Sequence, residues 1–157
     1  MADLKHPALN PSDVPVKTGT RYPKEMKGAS EAREKRALGD ALGLTKFGVN
    51  LVRMAPGSES SIRHWHTKQD EFLFVVQGEL TMITDEGEQI LTAGLAAGFK
   101  AGTANGHCIV NRSTEDALYI EVGDRGPGDE VTYADVDMEK RLINDKEVFV
   151  RKNGTPY

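Results

Sequence analysis

Between residues 44 and 125 the sequence is cut into short apolar segments, and that cadence restricts the fold more than any other feature of the chain. LTKFGVNLVRMAPG carries Phe47, Val49 and Leu51 on one face and Val52 and Met54 on the other, then stops at Pro56-Gly57. SIRHWH, EFLFVVQG, HCIVNRS and ALYIEVGDR read as further strands, and ELTMIT with EQILT as a hairpin across Asp85-Glu86-Gly87, where Gly87 can take the positive φ such a loop needs. The stretch AGLAAGFKAGTANG reads as a Gly/Ala-rich connection with an apolar patch at Phe99. Strands this short, spaced at roughly ten residues, bury their inner faces only by stacking as a sandwich or closing as a barrel. The chain is therefore expected to be all-β.

Within that region residues 61–78, SIRHWHTKQDEFLFVVQG, hold two of the four histidines one residue apart. Side chains alternate along a strand, so His64 and His66 share a side and can grip one ion. A turn over residues 67–70 follows, and Glu71 opens the next strand, where it can face the same ion. This arrangement asks for a divalent metal. Trp65 has the opposite parity and is expected in the packed layer outside the cavity. Gln69 and Asp70 read as solvated turn residues or as acceptors that fix an imidazole tautomer. Asn111 shares parity with His107, which fits strand-end capping as well as substrate contact, and Cys108 alternates away as a buried thiol.

Two blocks carry a resemblance to a known family. Gly57…His64-Trp65-His66-Thr67-Lys68-Gln69-Asp70-Glu71…Gly78 resembles the first motif of the cupin superfamily: glycine, spacer, His-x-His, three or four residues, Glu, six residues, Gly. Gly94…Gly102…His107-Cys108-Ile109-Val110-Asn111 resembles its second motif, which supplies one more histidine and a nearby asparagine. Gly57 lies one residue further from His64 than is usual, and Lys100 stands where the motif has proline; neither is a ligand position. The resemblance covers residues 44–125 and is greatest to small single-domain bacterial cupins described as sugar-phosphate-isomerase-like. It implies a double-stranded β-helix (the cupin, or jelly-roll, barrel) holding one divalent metal on His64, His66, Glu71 and His107. Three imidazoles and a carboxylate suit Zn, Mn, Fe, Ni or Co, and octahedral coordination leaves two positions open.

The implied activity is that of a metal-dependent cupin acting on a small polar molecule, with the metal polarising the carbonyl of a sugar or sugar phosphate while a base moves a proton. Glu121 is the candidate base, and Tyr119, Arg53 and Arg112 are candidates for holding substrate, since guanidinium forks match phosphate or carboxylate. An Fe(II) dioxygenase and a ligand-binding cupin without turnover stay open as alternatives. Glu59 with Arg63, and Glu79 with Lys100, read as ordinary exposed charges.

Outside the barrel, residues 1–43 read as an arm interrupted by Pro7, Pro11, Pro15 and Pro23, with SEAREKRAL (residues 30–38) as a short helix ended by Gly39. The arm is expected to lie across a sheet of its own subunit or a neighbour's. Residues 126–157 form a C-terminal extension with outer strands EVTYADV and EVFVRKNG and a polar link, DMEKRLINDK, between them. The formal charge of −4, without a Lys/Arg block, argues against nucleic acid and an anionic membrane surface as partners. No apolar run reaches the roughly 18 residues of a spanning helix. A single cysteine excludes an internal disulfide, and a cytoplasmic enzyme is the default. The small barrel's apolar outer face leads to the expectation of a homodimer.

Overall fold

The computed structural model describes residues 4–157, and these form an all-β protein of two facing layers. One layer is a six-stranded antiparallel sheet in the order β1 (Val16–Thr18), β2 (Glu34–Ala37), β3 (Phe47–Met54), β10 (Ala117–Asp124), β5 (Glu71–Gln77) and β8 (Ala96–Phe99). The other layer has two parts. A three-stranded sheet orders β7 (Gly87–Thr92), β6 (Glu79–Thr84) and β9 (Cys108–Val110), and a four-stranded sheet orders β13 (Lys146–Val150), β12 (Glu139–Ile143), β11 (Val131–Tyr133) and β4 (His64–His66).

The period-two pattern decides which faces meet. Val52 and Met54 of β3, Leu73 and Val75 of β5 and Tyr119 of β10 turn inward against Leu80, Met82, Leu91 and Ile109 of the opposite layer. Each is almost wholly removed from water, a burial that stabilises the fold by about 1.5–3 kcal/mol per large apolar side chain. This core fills one end of the barrel. The other end is left open by a smaller cluster, in which Val131, Tyr133 and Met138 pack with Ile62 and Phe149.

The arm belongs to this same body. Residues 30–38 are not a helix: Gly28–Ala32 is a 3-10 turn, Glu34–Ala37 is strand β2, and only Leu38–Ala41 (α1) winds as a single α-turn. Lys35 pairs with Val52 and Ala37 with Asn50 in the β2–β3 ladder, whose hydrogen bonds outweigh a weak helical stripe of small residues. Farther back, Tyr22 stands edge-on to Tyr133 and Phe149, with ring centroids 5.5 and 5.9 Å apart. The arm thus extends one layer and docks on the other, and it lies on its own subunit.

Two segments read as connections are strands. AAGF pairs with the start of β5, Glu71 opposite Phe99, where small side chains let the edge strand come in. EKRLI pairs with KEVFV around Asn144 and Asp145, both at positive φ (50° and 61°), the turn geometry that a two-residue hairpin requires. Gly87 takes φ 124° in the β6–β7 loop, as its sequence context demands.

Candidate metal centre and cavity

β4 and the residue just before β9 carry the histidines on one layer, and β5 carries the carboxylate on the other. His64 and His107 face each other in an antiparallel bridge, the His64 amide donating to the His107 carbonyl at 3.0 Å and the His107 amide returning the bond at 2.8 Å. The turn at residues 67–70 does not fold β4 back on β5 as a hairpin. It carries the chain from the four-stranded sheet to the six-stranded one, so Glu71 meets the imidazoles across the cavity.

The convergence is close. Glu71 Oε2 lies 2.9 Å from His107 Nε2, 3.5 Å from His66 Nε2 and 3.8 Å from His64 Nε2. Donors bound to one ion at about 2.1 Å sit roughly 3 Å from their neighbours when coordination is octahedral; the donor atoms of His64, His66 and Glu71 all lie within 4.8 Å of one another, and His107 joins them through its contact with Glu71. The tautomers agree. His64 Nδ1 donates to the Ile62 carbonyl at 2.9 Å and His66 Nδ1 to Asp129 Oδ2 at 2.6 Å, leaving both Nε2 lone pairs bare toward the common point. The buried Nδ1 of His107 has no hydrogen-bond partner, while its Nε2 lies 2.9 Å from Glu71 Oε2. These residues fit a divalent ion.

Electrostatics point the same way. Burial lowers the His64 pKa to about 4, against the pull of Glu71, so its imidazole is neutral and ligand-ready at physiological pH. Burial alone would raise the Glu71 carboxyl, but the hydrogen bond from His107 and the neighbouring imidazoles outweigh it and hold the value at about 2.

Asp129 is a candidate site residue that the sequence reading missed. Its Oδ2 accepts from His66, and its Oδ1 accepts from the amides of Lys68 and Gln69 at 3.0 and 3.2 Å. It lies 63 positions after His66 in a Gly/Pro-rich link, and only the β4–β11 pairing, Val131 opposite His66, brings the two together.

The centre opens onto a cavity of about 1170 Å³ between the layers. Glu121 and Tyr119 line it: Glu121 sits opposite Leu73 in the β10–β5 ladder, one diagonal step from Glu71, and accepts a hydrogen bond from Asn50 Nδ2 at 2.9 Å. The Tyr119 hydroxyl lies 3.4 Å from Glu121 Oε2, with its ring fully enclosed and its pKa pushed far up by burial.

Arg53 and Arg112 are elsewhere. Arg53 has the parity opposite to buried Val52 and Met54, and it is held on the outside by Asp116 and Glu34 at 2.7 and 2.9 Å. Arg112 forms a two-pronged pair with Glu88 at 2.6 and 2.8 Å on the exposed face. Neither lines the cavity. The basic groups that do include Arg33 and Lys35, whose side chains approach Glu121 at 3.8 and 3.9 Å. Reading their segment as a helix hid them; the alternation Arg33, Lys35, Ala37 was the available signal.

Four other expectations resolve. Asn111 is a structural cap, wholly buried, donating to the Met54 and Glu115 carbonyls at 2.8 Å each. Cys108 is buried, with its thiol pushed up to about 11 by burial. Trp65 is not core: β4 is only three residues long at the barrel mouth, and Trp65 lines a second cavity of about 210 Å³ behind His66 and Phe99. Arg63 pairs with Asp135 and Asp85 rather than standing free, and its side chain is only 21% exposed.

Comparison with known proteins adds the lineage. The family described as the cupin domain matches residues 50–123. A crystal structure of a cupin-superfamily sugar phosphate isomerase from Silicibacter pomeroyi DSS-3 is 41% identical, with a TM-score of 0.92 and 96% of each chain covered. The chain belongs to the cupin superfamily. A second cupin-like relative in structure, a putative sugar phosphate isomerase from Acidithiobacillus ferrooxidans, is 27% identical over 83% of each chain, with a TM-score of 0.75. The polyketide cyclase RemF from Streptomyces resistomycificus shares the cupin fold at 18% identity and a TM-score of 0.65, over 82% of this chain and 85% of its own. No curated protein sequence matches this cupin. Among the described residues no helix is long and apolar enough to cross a membrane.

Proposed function

We propose that this cupin is a metal-dependent isomerase of a small sugar or sugar phosphate, with His64, His66, Glu71 and His107 as the ligands. The observation that carries the reading is the meeting of three imidazole nitrogens on one carboxylate oxygen at the wall of a polar cavity. When bound there, a divalent ion would act as a Lewis acid on a substrate carbonyl. The relatives described as sugar phosphate isomerases support that substrate class.

Glu121 is the base in this reading. Its carboxylate takes a proton from the hydroxyl-bearing carbon beside the carbonyl and returns it to the former carbonyl carbon, while the hydroxyl proton passes to the former carbonyl oxygen, so that no atom is lost and the hydroxyl and carbonyl exchange places. Asn50 and Tyr119 orient it, and Asp129 holds the His66 ring. The experiment has two parts. Elemental analysis of protein grown in supplemented medium should find close to one divalent ion per chain, and proton NMR in D2O should find solvent deuterium entering an aldose or ketose phosphate. A metal-free protein, or iron-dependent oxygen uptake in place of exchange, would overturn the reading.

The same reading includes a homodimer and a cytoplasmic location. Outward-facing Phe72, Phe74 and Val76 on β5 are 40–46% exposed, and every described segment of the chain is already placed elsewhere, so a second copy is the natural cover. Sedimentation giving a monomer at micromolar concentration would remove the dimer, and cell fractionation tests the location.

A further inference from the structure

The cavity's charge does not follow that of the chain. The protein carries a formal charge of −4, yet the side chains lining the cavity include seven lysines and arginines against four carboxylates. Most of the excess is contributed by the arm, on the side away from the imidazoles.

Arg33 and Lys35 stand out among these cations. Their side chains are only 19% and 32% exposed, and both approach the same carboxylate, Glu121, at 3.8 and 3.9 Å. Glu121 is already engaged by Asn50 and Tyr119. Two largely enclosed cations therefore share one anion that has other partners, which leaves a positive charge unbalanced in a site of low polarizability. Burial holds the Lys35 ammonium below its ordinary value, with Glu121 opposing only in part, as expected of a lysine short of a counter-ion. The other cations of this wall are committed: Lys27 to Glu31 at 2.8 Å, Arg21 to Glu147 at 3.1 Å and Lys17 to Asp40 at 3.8 Å.

Sheet register gives the spacing. Lys35, Val52 and Tyr119 form one row across β2, β3 and β10; Ala37, Asn50, Glu121 and Leu73 form the next; Gly48, Gly123 and Glu71 form the third. Glu121 is diagonal to Glu71, a separation of roughly 7–8 Å between adjacent strands, and the Arg33–Lys35 pair lies just beyond it. In the third row Gly48 and Gly123 carry no side chain of their own; the Gln69 side chain lies over Gly123 and the Arg125 guanidinium over Gly48.

We infer that Arg33 and Lys35 form a phosphate subsite, which makes the substrate a phosphorylated sugar held with its phosphate at this pair and its carbonyl end at the His64–His66–Glu71–His107 centre. The inference rests on the proposed isomerase reading for the role of the second end. A phosphate monoester carries between one and two negative charges at neutral pH, and the planar guanidinium of Arg33 presents two parallel donors to it while Lys35 supplies a point charge.

The test reads the anion site separately from the metal. The full chain, stripped with chelator and dialysed, is titrated by calorimetry with inorganic phosphate, D-ribose 5-phosphate, D-ribose and D-glucuronate. Inorganic phosphate and the phosphorylated pentose should bind, D-ribose at least tenfold more weakly, and Arg33→Gln or Lys35→Gln should cost at least tenfold in phosphate affinity. Lys35→Arg, which keeps the charge, should retain binding, and the melting temperature of each variant verifies that it is folded. Elemental analysis of unstripped Arg33→Gln should find the same metal content as the parent. Equal binding of phosphate by parent and Gln variants, no phosphate binding at all, or binding of glucuronate in preference to phosphate would each overturn the subsite. A protein that binds phosphate in this way yet takes up no metal would sink the isomerase proposal alone.

Discussion

His66 Nδ1 and Asp129 Oδ2 lie 2.6 Å apart, with both side chains about nine-tenths buried. The bond fixes the His66 tautomer and turns its Nε2 toward Glu71. Burial would raise the Asp129 carboxyl, but the hydrogen bonds from His66 and the Lys68 amide reverse this and hold it below the ordinary range, so the acceptor is charged at neutral pH.

Asp129→Asn should therefore weaken metal binding without emptying the fold, since the loss of such a supporting carboxylate costs about 10- to 100-fold in affinity. Competition titration against a chromogenic chelator measures it. Parent-like affinity would mean that Asp129 only anchors the turn at Lys68 and Gln69.

His64→Ala and His107→Ala should each leave the protein folded and bring metal content close to zero by elemental analysis. Either variant retaining a full equivalent would contradict the proposed ligand set.

Acid should destabilise the metal-stripped protein in two steps. His64 has its folded pKa lowered from 6.5 to about 4, so the unfolded chain takes up its proton first and stability falls as pH drops from 6.5 toward 4, by roughly 3 kcal/mol in the limit. Glu71 is lowered from 4.5 to about 2, and its contribution, present above 4.5, is lost as pH falls through 2. Urea melts across this range should show the decline; a flat profile between pH 6.5 and 4 would show that His64 is not enclosed.

Gly78 ends β5 at φ 80°, and an added Cβ would meet the Asp116 carbonyl at 2.9 Å and Ala117 at 3.0 Å. Gly78→Ala combines backbone strain with a contact against main chain that cannot swing away, so denaturant unfolding should find a loss of about 1–3 kcal/mol. Unchanged stability would mean that the loop relaxes freely.

Cys108 should react slowly with Ellman's reagent at pH 8 in the native protein and rapidly in guanidinium, because burial raises its thiol to about 11 and shields the sulfur.

Much of this protein was written in local chemistry. Alternation along residues 47–54 and 71–77, the Gly87 turn and the His-x-His spacing each depend on neighbours a few positions apart, which is why fold class, the inward faces and the shared side of His64 and His66 could be read directly from the chain; His107 entered only through the resemblance to the cupin motif. Segments without a strong local pattern could not: AAGF and EKRLI become strands only because an edge is there to pair with them, and residues 34–37 leave a helical reading for the same reason.

What the sequence by itself determined is the set of groups able to bind an ion and the parity that turns them inward. The tertiary structure alone decided who supports them and who shares their cavity. Asp129 reaches His66 from 63 residues away, Arg33 and Lys35 replace Arg53 and Arg112 as the cations facing Glu121, and the arm closes on Tyr133. Parity along one strand is a local geometric fact. Which strands lie side by side depends on burying the whole apolar surface at once, a condition that no single segment carries.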